Sequence, residues 1–124
     1  MDVVVNVVLI IIVLFFFFRL TVPPKGTKTM KVDELKSIIG DSNYQLIDVR
    51  TPVEFREHHI KGFKNIPMNE MKHRQSELQQ DKKIVLICRS GGRSNTVARM
   101  LSKQGYENLF NVRGGVSAWK KKNK

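Results

Sequence analysis

The 124-residue chain contains one cysteine, and the residues around it are those whose types and spacing can do chemistry. Ile84–Leu101 reads IVLICRSGGRSNTVARML: an apolar run, Cys88, a glycine-containing loop, then apolar residues at helical spacing (Val97, Met100, Leu101). A short, purely apolar run is what a strand buried on both faces looks like. In open parallel sheets ligands bind beyond the carboxyl ends of the strands, and Cys88 leaves the strand there. Gly91 and Gly92 permit a tight loop whose backbone N–H groups can turn inward as an anion-binding nest. Ser94 is expected to N-cap the following helix, whose positive end adds to the field, and Arg89 and Arg93 bring two fixed positive charges. All of these favour thiolate over thiol, and only the thiolate is a nucleophile. The competing reading is a cysteine that packs as a small buried hydrophobe. It leaves two arginines, two glycines and a helix N-terminus converging on the only cysteine without an explanation. One cysteine excludes an intramolecular disulfide, and with His58, His59 and His73 it supplies no closed ligand set, so neither metal nor cofactor is expected.

The elements that must position this loop alternate between strand and helix. Thr27–Lys31 can extend as a short strand, and residues 32–39 form a helix with Leu35, Ile38 and Ile39 on one face, stopped at Gly40. Gln45–Val49 is a second strand, and Pro52 starts a short helix through Glu57. Phe63–Ile66 is a third strand ended by Pro67, and Met68–Leu78 is expected to be a helix. After the strand at Ile84–Ile87 and the helix from Ser94 to Gly105 come a strand at Leu109–Val112, a turn at Arg113–Gly115 and a last helix at Val116–Lys121. Strands separated by helices predict an α/β domain: a doubly wound, mainly parallel sheet of about five strands flanked by helices.

Ahead of it lies a different kind of segment. Val3–Phe18 is apolar except for Asn6, and extension to Val22 gives about 30 Å of helix, the thickness of a bilayer core, with Arg19 able to snorkel. A core helix would show a polar stripe, and a cleaved signal peptide a basic start and a small-x-small site; here Asp2 precedes the run and RLTVPPKG follows. The expectation is an uncleaved single-pass anchor at residues 1–20, a linker at 21–29 containing Pro23, Pro24 and Gly26, a soluble domain at 30–121 and a basic tail at 122–124. Arg19, Lys25, Lys28 and Lys31 all follow the run, which places the domain in the cytoplasm.

The net charge of +11 is uneven: residues 82–124 hold eleven Lys and Arg against one acid, Glu107. A solvated basic face is the plain reading; an anionic bilayer or an anionic substrate is the sharper one. Nucleic acid is not expected as a partner, because no aromatic stacking platform accompanies the lysine tail.

Three stretches in order make the sequence familiar: LIDVRTPVEFREHHIKGFKNIPMNE (residues 46–70), VLICRSGGRS (85–94) and NVRGGVSAW (111–119). Over residues 28–121 the chain closely resembles a single-domain rhodanese, a sulfurtransferase. The resemblance implies that Cys88 is the catalytic cysteine. It takes a sulfur from thiosulfate or a persulfide donor, holds it as a persulfide and passes it to a thiol or cyanide. It also implies that Arg89, Ser90, Gly91, Gly92, Arg93 and Ser94 form the loop that binds the negative sulfur. Asp48 and Arg50 match the DVR block and read as a supporting ion pair, with Glu54 a candidate third member. His59 reads as a structural hydrogen-bonder and Trp119 as core. Phe63 departs from the Ala or Ser usual in the family, a packing change. Related cysteine phosphatases and arsenate reductases place five residues between Cys and Arg; four lie between Cys88 and Arg93, and the smaller cradle favours one sulfur over a tetrahedral oxyanion. A tethered docking module is the non-catalytic alternative, disfavoured because the cysteine and the arginines are all present.

Overall fold

A computed structural model describes residues 2–21 and 26–123. The expected linker residues Pro23 and Pro24, and the tail residue Lys124, lie outside the described residues. The first helix, α1 (Asp2–Thr21), is long and apolar enough to cross a membrane. Its apolar side chains from Val3 to Leu20 are exposed.

The rest is a five-stranded parallel sheet in the order β1-β5-β4-β2-β3: β1 (Thr27–Met30), β2 (Tyr44–Asp48), β3 (Lys64–Asn65), β4 (Lys83–Ile87) and β5 (Leu109–Val112). Helices α2 (Val32–Ile38), α3 (Pro52–Glu57), α4 (Gly92–Lys103) and α5 (Gly115–Lys122) follow β1, β2, β4 and β5. The period-2 alternation of the central strand divides its side chains between two cores. Ile84, Leu86 and Cys88 pack with Val97, Ala98 and Leu101 of α4, whereas Val85 and Ile87 pack with Leu35 of α2 and Val116 of α5. That is why β4 reads as an unbroken apolar run. Phe63 is buried in the second of these cores, and Trp119 packs half-buried against it. The expected fold class is the observed one.

Two elements differ from expectation. Met68–Leu78 is not a continuous helix but two 3₁₀ turns, Met68–Glu70 and Gln75–Glu77. Only Met71 and Leu78 in this stretch are buried apolar residues, so no helical stripe drives a longer helix. Long-range bonds fix the end of the stretch: Gln45 Nε2 donates to the Glu77 carbonyl (2.7 Å) and the Gln79 N–H donates to Gln45 Oε1 (2.8 Å). The third strand shrinks to Lys64–Asn65, an edge pairing with Ile47 and Asp48.

Candidate active site

Cys88 follows β4 directly and is buried. The Gly91 N–H donates to its Sγ at 3.0 Å, and the Ser94 hydroxyl lies 3.2 Å from the same sulfur. Gly91 makes the turn possible: its φ of +114° lies where side chains with a Cβ are strained. It is also the N-cap of α4, so the helix begins at Gly92. The expected cap, Ser94, lies inside the first turn, fully buried, with its hydroxyl aimed at Cys88, the Gly91 carbonyl and Asn111 rather than at the helix's orphan amides. A glycine cap suffices here because the loop must already adopt a positive φ at that residue.

The second support comes from α5. Its first amides, Val116 N–H and Ser117 N–H, donate to the carbonyls of Cys88 (2.8 Å) and Arg89 (3.0 Å). Early helical N–H groups lack intrahelical partners, so these bonds satisfy the start of α5. They also orient the loop: a trans peptide's N–H points opposite its C=O, so the Arg89 and Ser90 N–H groups are turned away from α5. Gly114 and Gly115, with φ of +76° and +59°, allow the close approach. In the sequence, NVRGGVSAW reads only as a closing turn and helix; the glycine pair ahead of a helix start was the available signal.

The two loop arginines part company. Arg93 is bound in a two-pronged ion pair by Glu54 of α3 (2.7 and 3.0 Å), and Arg89 is exposed. Of the two fixed positive charges expected at the loop, Arg93 is thus half of an ion pair. Glu54 closes a capping box with Thr51 and does not join Arg50. The Arg93 hydrogen bonds, and those from Thr51, hold the Glu54 carboxyl down at about 2, while Glu54 raises Arg93 above its ordinary value. Asp48 and Arg50 form a separate buried pair, 2.8 Å apart, with the Asp48 carboxylate meeting both the side chain and the backbone N–H of Arg50. Arg50 Nη2 also donates to the His58 carbonyl (2.6 Å), so this buried charge is both paired and hydrogen-bonded. His59 Nδ1 meets the Phe55 carbonyl at 2.8 Å and its ring stacks on Phe55, the structural placement expected for it.

Beside the loop a cavity of about 490 Å³ is lined by Arg50, Glu57, His58, Arg89, Lys120 and Lys121, among others. Burial, with smaller contributions from Lys120 and Arg50, pushes the His58 imidazole below its ordinary value. Cations outnumber acids around this opening, which suits an anionic ligand. Lys122, by contrast, pairs with Asp33 (2.6 Å), so the basic end of the chain does not act as one unit. Among the described residues no three His, Cys, Asp or Glu side chains gather to hold a metal.

The Glu54–Arg93 pair carries a testable pH signature. A carboxyl held below its unfolded-state value of 4.5 contributes stability above that value and loses it as pH falls toward about 2. Because both side chains are partly exposed, the contribution is about 1 kcal/mol or less. Melting temperature should therefore fall less steeply between pH 4.5 and 2 in Glu54→Gln than in the parent chain. Parallel curves in differential scanning calorimetry would remove the pair from the loop's support.

The sheet and site define an α/β domain in which a central strand delivers a buried thiol into a loop of backbone amides. Residues 31–122 match the Rhodanese-like domain family, and the chain belongs to that family. It is 40% identical over 74 residues to a sulfurtransferase of Allochromatium vinosum, covering 60% of this chain and 69% of that protein. To thiosulfate sulfurtransferase GlpE of Shewanella oneidensis it is 28% identical over 96 residues, covering 77% of this chain and 95% of that one. The fold is similar to the crystal structure of a rhodanese-related protein from Thermoplasma volcanium, with a TM-score of 0.70, 32% identity, and coverage of 77% and 92% of the two chains.

Proposed function

We propose that this protein is a sulfurtransferase that works through a persulfide on Cys88. The observation that carries the reading is the buried Sγ at the end of β4, 3.0 Å from the Gly91 N–H, with the Arg89 and Ser90 amides turned away from α5. The Cys88 thiolate attacks the outer sulfur of thiosulfate; a sulfur–sulfur bond forms to Sγ, the donor's own sulfur–sulfur bond breaks, and sulfite leaves with its electron pair. The negative charge now rests on the outer sulfur, where preorganised N–H groups stabilise it. A thiolate or cyanide then attacks that sulfur, regenerating the Cys88 thiolate and releasing a persulfide or thiocyanate. Arg89, Lys120 and Lys121, which line the neighbouring cavity, suit an anionic donor, and the Asp48–Arg50 pair is a support that fixes the end of β2. Intact-mass spectrometry of the purified chain after incubation with thiosulfate should show one added sulfur, removed again by cyanide. No addition from thiosulfate would overturn this reading.

The apolar helix α1 adds a location to this proposal: a single span holding the domain at the cytoplasmic face, with Arg19, Lys28 and Lys31 on the inner side. Alkaline carbonate should leave the chain in the membrane fraction, and protease added outside intact cells should spare the domain. Release by carbonate would refute anchoring, and cleavage from outside would refute the orientation.

A further inference from the structure

Behind the loop, Asn111 of β5 closes a hydrogen-bond chain. Its Nδ2 donates to the Gly91 carbonyl (3.3 Å), which can only accept, so the amide oxygen Oδ1 is left facing Ser94. Ser94 Oγ lies 2.5 Å from Oδ1, 3.2 Å from the Gly91 carbonyl and 3.2 Å from Cys88 Sγ. A hydroxyl has one hydrogen. With Cys88 as a thiol every group is satisfied, because S–H donates to Ser94 Oγ and Ser94 donates to Asn111. With Cys88 as a thiolate, sulfur and Asn111 Oδ1 compete for the same Ser94 hydrogen.

We propose that Asn111 is a positioning residue that sets how firmly the Ser94 hydroxyl holds the Cys88 sulfur, an inference that rests on the sulfur-transfer reading for its catalytic meaning. By drawing the hydrogen toward itself, Asn111 keeps the thiolate less stabilised and hence more nucleophilic. Once a sulfur is bound, the charge moves to the outer sulfur, Sγ no longer needs a strong donor, and the hydrogen returns to Asn111. The hydroxyl thus has two positions, one for the empty cysteine and one for the loaded one.

Arg93 of α4, paired with Glu54 of α3, is the cation that interacts with Cys88; the other charged groups about the loop are the exposed residue Arg89 and the Asp48–Arg50 pair at the end of β2. The neighbours from α5, Gly115 and Val116, and from β5, Asn111, are uncharged. Replacing Asn111 or Ser94 leaves all of these charges in place.

The test is the pH dependence of Cys88 alkylation by iodoacetamide in the full chain. Ser94→Ala should move the midpoint up, and Asn111→Ala should move it down, each by about half a unit, the scale of one hydrogen bond to sulfur. Asn111→Leu, which keeps the volume, should match Asn111→Ala. In the Ser94→Ala background, Asn111→Ala should have no further effect, since the pair acts through one hydrogen. Well above the midpoint, thiosulfate loading by Asn111→Ala should slow by about 1.5- to 2-fold. A packing role for Asn111 would not give opposite signs for the two single variants. An unchanged or raised midpoint in both Asn111 variants, or a shift that persists without Ser94, would overturn the proposal. If the alkylation shifts appear but the parent chain takes no sulfur from thiosulfate, the sulfur-transfer reading fails and the control of Cys88 by Asn111 stands.

Discussion

Replacing Cys88 with Ser is expected to abolish sulfur transfer from thiosulfate to cyanide, a loss of about three orders of magnitude or more, while the fold survives. The size follows from the chemistry: no other side chain at the end of β4 can carry the transferred sulfur, and a serine hydroxyl is not ionised at neutral pH. Fold survival follows from the surroundings. The serine oxygen can take the Gly91 N–H and meet the Ser94 hydroxyl, the partners that Sγ has now, so the buried polar atom is not orphaned. The stability cost should be about 1 kcal/mol, read from urea denaturation. The intact mass of the variant should show no added sulfur after thiosulfate. Activity above a tenth of the parent's in a variant confirmed by mass would move the sulfur carrier to another group.

The second large effect is expected at a residue that does no chemistry. At Gly115, a Cβ would overlap the Cys88 carbonyl oxygen and come within 2.7 Å of the Arg89 carbonyl carbon and oxygen. Gly115→Ala therefore forces the start of α5 away from the loop or the loop away from α5, and breaks the Val116 and Ser117 bonds that aim its peptide planes. The φ of +59° adds about 1–2 kcal/mol of backbone strain for a residue with a Cβ, and overpacking adds about 1–3 kcal/mol. A loop displaced by about 1 Å loses about 100-fold in rate. Gly105→Ala is the control: its φ of +95° carries similar strain, but a Cβ there meets nothing within 4 Å. Both variants should lower the melting temperature, Gly115→Ala by more, and only Gly115→Ala should lose activity. Equal activities in the two would show that α5 does not hold the loop in its working shape.

Much of this molecule was legible before any coordinates. The apolar run Ile84–Ile87, the glycine pair and the helix-spaced Val97 and Leu101 mark a buried strand, a loop and an amphipathic helix, because burial on two faces and on one face leave different periods in a sequence. The rule that ligands bind beyond the carboxyl ends of parallel strands places Cys88 at that edge of the sheet, and the resemblance of residues 46–70 to the family's DVR block implies Asp48 with Arg50 as a supporting pair. Local pattern failed where tertiary packing decides which side chains are buried. Met68–Leu78 has enough helix formers to suggest a helix, yet only Met71 and Leu78 are buried apolar residues there, and Gln45, 32 residues before Glu77, ties down its end.

What the sequence determined by itself was the order of the elements and the identity of the nucleophile candidate, since both follow from periodicity and residue type along one stretch of chain. What only the tertiary structure decided was the partnership of each group around the sulfur. Arg93 meets Glu54 across 39 positions, Ser94 meets Asn111 across 17, and the first amides of α5 reach the carbonyls of Cys88 and Arg89. A spacing pattern reports which face a residue occupies, not which group from another strand or helix is brought against it. At hydrogen-bond range, a shift of 1 Å decides whether an arginine is a free cation or half of an ion pair, and that distance is set by how the layers pack.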